Sequence, residues 1–321
     1  KYRVWEYWSL LNSASQTERG SIHEDYISPN LNWFGPHPIN SITGSEALEH
    51  CFYQPLFYSF PDLQRKTDIF LSGNFRGQEW ISATGHFIGT FTHDWLGIPA
   101  SGKVAYIRFG QFSRIEEGKI VETRILFDLI DLMRQAGIRV LPQSPGTEWV
   151  VPGPQSKDGV LLSEQDPAAS RKSLELVESM IFGLKTYDQS NLTSMGMDRF
   201  WHPEKMVWYG PTGIGTTYGL KGFQKDHQQP FLHAFPDRQG GHHVARIAEG
   251  HYIATTGWPS VLATHKGEYL GTPGSGTQIG MRVMDWWKRE EDLLTENWVF
   301  IDLPHLFLQF GVDLFARMHS P

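Results

Sequence analysis

The chain of 321 residues has a single cysteine, Cys51, so it can neither close an internal disulfide nor build a cysteine zinc cage. It lacks any apolar run of about 18 residues, which excludes a spanning helix and any membrane partner of that kind. Basic runs are missing as well, and the net charge is −7. Without a basic stripe to neutralise phosphates, no nucleic-acid partner is expected. The opening KYRVWEYW has no apolar core of a secretory signal. A cytoplasmic protein is the expectation that fits these absences. Aromatic residues, by contrast, are plentiful at 13%, with twelve tryptophans, and such side chains build flat apolar pockets as well as large cores.

The chain repeats itself. Residues 33–62 align without a gap on 208–237, and ten of the thirty pairs are identical, among them Trp33/Trp208, Gly35/Gly210, Pro55/Pro230 and Asp62/Asp237. Unrelated segments would match at roughly two positions. Residues 96–128 align on 270–302 with ten further identities in the same order. A tandem duplication follows. We place domain one at 1–138 and domain two at 172–321. The intervening 139–171 is rich in proline and glycine and reads as a linker.

Each copy begins with apolar residues at helical spacing, VWEYWSLL in the first and SLELVESMIFGL in the second. A second helix is predicted over SEALEHCFYQPLF, and its counterpart GFQKDHQQPFL is more polar. Strands follow over WISATGHFIGTF, KVAYIRFGQF and KIVETRILFDL. Helices early and strands late give α+β with antiparallel hairpins instead of alternating βαβ units. A curved sheet with helices on its concave side leaves a pocket between them.

Three pieces carry a family pattern: FPDL at 60–63, THDWLGIPASGK at 92–103, and RIEEGKIVE at 114–122 leading to Asp128. The second copy has FPD at 235–237, THKGEYLGTPGSG at 264–276, and ENWVFID at 296–302. In this order, twice, they resemble the SnoaL-like polyketide cyclases of the nuclear-transport-factor-2-like fold. The resemblance implies two cone-shaped α+β barrel domains, each a curved antiparallel sheet wrapped around helices. It implies a small-molecule substrate, no metal or other cofactor, and an intramolecular aldol closure driven by a pocket carboxylate with a helping histidine. Sheet-to-sheet pairing in this fold implies an intramolecular pseudo-dimer, so that the chain is a monomer or a homodimer of such units. The family carboxylate follows a tryptophan on the last strand, where this chain has Ile125 and Val299. The helping position on the preceding strand holds Gln111 in domain one and Asp285 in domain two.

General acid–base work needs a titratable group in a dry pocket. Asp285 shares strand parity with Val283 and Trp287, so flanking rings would disfavour its charge; the alternative is a strand aspartate facing water or an arginine. His93 and His265 occupy equivalent places before a Gly-Pro turn and are proton-shuttle candidates, or else groups that hold the hairpin. His86 faces Trp258 in the alignment, which suggests two different pockets, or simply a half-exposed strand histidine. Tyr209 is a hydroxyl donor candidate. Arg246, Trp208, Trp258, Trp287, Trp33 and Gln111 are candidates for binding substrate. His243, Glu249 and His251 share parity, but the first two lie about 20 Å apart along a strand, so no metal site is expected. Glu122, Glu296, Asp128 and Asp302 have the parity of the other sheet face and read as interface or salt-bridge groups.

The expected function is a cofactor-independent acid–base enzyme, a cyclase, isomerase, dehydratase or hydrolase, acting on a carbonyl-bearing or aromatic molecule. The alternative is a small-ligand-binding or scaffold protein that has lost the family carboxylate. Where Asp285, His86 and Arg246 point separates the two.

Overall fold

Four residues of the first turns, Val4, Tyr7, Trp8 and Leu11, are spaced to form one helical stripe, and all four are buried in α1 (Tyr2–Leu11). They open the first of two compact units in a computed structural model that describes residues 1–319, the side chain of residue 16 excepted. The first unit comprises 1–140, 155–162 and the chain from 314 onward; the second comprises 141–154 and 163–313. The proline-rich segment between the copies is thus divided between the units.

In the first unit α1 is followed by α2 (Gln16–Tyr26), whose start is fixed by the Glu18 carboxylate accepting the Ser15 N–H at 2.8 Å. Next come β1 (Ile27–Phe34), β2 (Ser41–Thr43), α3 (Ser45–Leu48), a π-helical turn over Glu49–Tyr53, and α4 (Gln54–Ser59). The long strands are β3 (Gln64–Phe75), β4 (Gln78–Thr90), β5 (Val104–Glu116) and β6 (Lys119–Phe127), closed by α5 (Leu129–Gln135). The sheet order is β2-β1-β6-β5-β4-β3. It is antiparallel except where β1 lies parallel to β6.

The second unit repeats this order. It contains α6 (Pro167–Leu184), β7 (Val207–Tyr209), β8 (Thr216–Tyr218), α7 (Gly219–Phe223), a π-helical turn over Gln224–Gln228, and α8 (Gln229–Ala234). Then come β9 (Gln239–Gly240), β10 (His243–Glu249), β11 (Tyr252–Thr264), β12 (Gln278–Glu290), β13 (Leu293–Ile301) and α9 (Leu303–Gln309). The last helix, α10 (Leu314–Arg317), belongs to the first unit. The second sheet runs β10-β11-β12-β13-β7-β8, with β9 against β11. Each unit is a curved mixed sheet with helices against one face, the cone-shaped α+β fold.

Shared motifs have local work in this fold. The Gln-Pro pairs 54–55 and 229–230 each follow a π-helical turn. Proline cannot donate to the carbonyl four residues back, and its ring crowds that carbonyl, so a widened turn accommodates it. In the Thr-His hairpins, Leu96 and Gly97 have φ of 54° and 78°, and Leu270 and Gly271 have 47° and 80°. Two consecutive left-handed residues close a tight turn, with Trp95 and Ile98, or Tyr269 and Thr272, exchanging backbone hydrogen bonds across it. The carboxylates of Asp62 and Asp237 accept the backbone N–H of Thr90 and Thr264 at 2.6 and 2.9 Å. The repeated Phe-Pro-Asp therefore ties the helix end to the hairpin. Asp128 and Asp302 cap α5 and α9, and Asp302 also pairs with Arg282 at 3.1 Å. No helix among the described residues is long and apolar enough to cross a membrane.

Candidate active site

Strand register in the second unit sets one row of side chains on the helix-facing side of the sheet. Arg246 pairs with Thr255, Thr255 with Asp285, and Asp285 with Val299. One pleat along, Trp287 pairs with Asn297 and Asn297 with Trp208. Asp285 is half-buried on this face of the sheet. Among the described residues its side-chain hydrogen-bond partner is Asn297, whose Nδ2 donates to Oδ1 over a long 3.5 Å and to the Trp286 carbonyl at 2.9 Å. Among the described residues no cation pairs with Asp285. Burial therefore pushes its carboxyl up to about 7, against the small opposing pull of Asn297.

A helix residue completes this wall. His227, on the π-helical turn, stacks on Trp208 with ring centroids 4.2 Å apart and an interplanar angle of 16°. Phe223 and Phe231, four residues either side, flank it at 5.4 and 5.6 Å. Its Nδ1 is buried without a hydrogen-bond partner. Burial pushes the imidazole down to about 3, so the ring is neutral at pH 7. The arrangement is a carboxyl near its midpoint at neutrality, a neutral imidazole and several rings. Chemically it can move a proton and polarise a carbonyl without help from a metal.

The other sequence candidates are distributed differently. Trp287 lies on the Asp285 face, its indole N–H buried and without an acceptor. Arg246 lies in the Asp285 row, about 10 Å away by two strand spacings, but its guanidinium is held by Glu178 at 2.7 Å and by His243. Tyr209 faces the opposite side of the sheet, where its hydroxyl donates to Glu296 at 3.1 Å. Trp258 sits on that side too, under Arg282 at 5.1 Å. His265 is fully buried, stacked on Phe310 at 3.7 Å and bonded to Ser275. It follows Ala263, which pairs with Ile279, six residues or about 20 Å along β12 from Asp285. Burial lowers its pKa.

In the first unit, Trp33 and Gln111 share the helix-facing side. Trp33 packs on Phe52 at 5.0 Å, and Gln111 accepts from Arg65 at 2.8 Å. His86 pairs in register with Arg108 and Lys66, on the opposite face from Gln111, with Asp68 3.6 Å away. His93 is exposed, stacked on Tyr58 at 4.2 Å and bonded to its carbonyl. No cluster of three His, Cys, Asp or Glu side chains suited to a metal occurs among the described residues. Two surface grooves, one between α2 and α4 and one along α6, include none of Asp285, His227 or Arg65.

Sequence reasoning missed His227. The aligned residue in the first copy is Phe52, so the repeat hides it, and GFQKDHQQPFL reads as a polar helix. The signal was Phe223, His227 and Phe231 at i, i+4 and i+8, an aromatic stripe with one titratable member.

The fold and this wall define a cone-shaped α+β protein with a buried carboxyl on the helix-facing side of its second sheet. The model of the SnoaL-like polyketide cyclase family matches residues 9–136 and again 186–310, and the chain belongs to that family, in two copies. No curated protein matches the chain. Among solved structures, AclR from Streptomyces galilaeus is 22% identical over 44% of this chain and 97% of its own, with a TM-score of 0.36. A SnoaL-like polyketide cyclase from Agrobacterium tumefaciens is 20% identical over 41% of this chain and 94% of its own, with a TM-score of 0.33. An NTF2-like protein from Burkholderia xenovorans is 12% identical over 44% and 97%, with a TM-score of 0.35.

Proposed function

We propose that the second unit is a cofactor-independent acid–base catalyst, of the cyclase or isomerase kind, for a flat carbonyl-bearing molecule, and that Asp285 moves the proton. The observation that carries this reading is an enclosed carboxyl with no cationic partner and a pKa of about 7, the value at which a group both takes and returns protons at neutral pH. Asp285 pairs in register with Val299, the position that holds the base in the family pattern. Paired Cα atoms lie about 5 Å apart, so the carboxylate has crossed one ladder from β13 to β12 and still serves the same space. The first unit has Gln111 paired with Ile125 at this row and no carboxylate in either place.

In this mechanism the ionised Asp285 removes the proton α to the carbonyl. In a cyclisation the resulting enolate attacks a second carbonyl of the same molecule and Asp285 returns the proton to the alkoxide so formed; in an isomerisation Asp285 returns it to another carbon of the conjugated enolate. Neutral His227 offers a hydrogen bond to the carbonyl oxygen as charge develops there. Trp208 and Trp287 supply ring surface for the substrate body. A second reading, a ligand-binding protein without turnover, draws support from the apolar Ile125 and Val299.

Exchange of the α-protons of 2-tetralone in D2O, followed by 1H NMR, tests the proposal. Wild type is expected to exceed the buffer rate, and Asp285→Asn to lose about 100-fold or more of the enzymatic part. Equal exchange by the two proteins, or none by wild type between pH 6 and 9, would favour the binding reading.

A further inference from the structure

The first unit carries a buried cation that the proton-transfer reading does not use. Arg65, on β3, lies against the Trp8 ring with its guanidinium carbon 3.7 Å from the centroid, and against Phe109 at 4.0 Å. Its Nε donates to Thr67 Oγ1 at 3.3 Å and its Nη1 to Gln111 Oε1 at 2.8 Å. Its Nη2, with two N–H donors, is buried and has no acceptor. Among the described residues no carboxylate pairs with it.

The nearby acid is already engaged. Glu49 holds Arg19 at 2.9 Å and His23 Nε2 at 3.1 Å. His23 Nδ1 shares a hydrogen bond with the Tyr7 hydroxyl at 3.1 Å, and the Tyr7 and Tyr53 hydroxyls share another at 3.3 Å. None of these groups takes up Arg65 Nη2, whose donors stay unpaired. Arg65 and Tyr53 are both half-buried. Burial pushes the guanidinium down to about 9, still charged at neutral pH. A buried cation without an anion is costly to keep, and a structural ion pair would have brought its own anion.

We propose that the first unit is a binding site for a small aromatic carboxylate, whose anionic group is taken by Arg65. Guanidinium donors match a carboxylate in charge and planarity, and the surrounding rings match a flat body. The two copies then divide the labour, one recognising an anion and the other moving a proton. The proposal stands independently of the role assigned to Asp285.

Isothermal titration of the full chain with 2-naphthoate and with uncharged 2-naphthamide provides the test, together with unfolding of the ligand-free protein. Naphthoate is expected to bind wild type at one site per chain, at least tenfold more weakly to Arg65→Lys, and weaker still to Arg65→Gln. Naphthamide should not distinguish the three. Ligand-free Arg65→Met should melt at or above the wild-type temperature, because a buried charge held for binding is removed. Naphthoate binding that is absent from wild type, or unchanged by these substitutions, would overturn the proposal. So would a large fall in melting temperature for Arg65→Met, which would make Arg65 a structural group.

Discussion

Asp285 and Gln111 occupy the same row of the two sheets and differ by an amide for a carboxyl and by one methylene. In the second unit, burial without a cation raises the carboxyl to about 7, so the folded state prefers the protonated form. Between the ordinary aspartate value and about 7 the folded protein holds a proton that the unfolded chain has released. Stability from this group is therefore complete below about pH 4 and is lost as pH rises through 7. Asp285→Asn removes that dependence: urea unfolding should show no gap from wild type at pH 4 and a more stable variant, by up to a few kcal/mol, at pH 8. Catalysis runs the other way, since the carboxylate is the base. Wild-type kcat/KM for proton abstraction should climb through a midpoint near 7 and then level off. The asparagine variant should be slow and flat. Asp285 was legible because parity placed it between Val283 and Trp287. His227 was not, because its burial depends on Trp208 arriving from another element. Arg65 was hidden for the same reason, since Trp8 reaches it from α1.

At the scale of elements, the repeated motifs are scaffold. Thr-His and Leu-Gly close a hairpin, Phe-Pro-Asp fastens it, and Gln-Pro sets the π-helical turn on which His227 stands. These were readable because backbone needs, such as positive φ or a missing N–H, restrict residue choice in both copies alike. By contrast, α2 is marked only at its start, by Ser15-x-x-Glu18: QTERGSIHEDY has little apolar periodicity, and its position depends on packing. The Trp-x-Gly-Pro motif shows how a local rule supports the site. A Cβ on Gly210 would come within 2.0 Å of the Trp208 ring, the surface on which His227 stacks. Gly210→Ala is expected to destabilise the chain by about 1–3 kcal/mol in urea unfolding, with Trp208 displaced. Asp302→Ala should cost about 3 kcal/mol, because its buried carboxylate both caps α9 and pairs with Arg282.

For the whole molecule, duplication supplied two copies of one cone whose interiors have diverged. The fold was legible in outline because ten identities in thirty positions, and ten more in thirty-three, fix the architecture wherever they fall. The interiors were only half legible, because pocket walls combine residues from a helix, a turn and several strands, and no spacing rule links them. Under the proposed roles, the second interior holds a proton-transfer carboxyl near neutrality and the first holds a cation instead. The most direct measurement is 13C NMR of the aspartate carboxyl groups across pH 3–10, with Asp285 assigned by its loss in Asp285→Asn. That resonance is expected to titrate with a midpoint near 7. A midpoint near 4 would mean an ordinary solvated aspartate, and the claim that Asp285 is the acid–base group would fall.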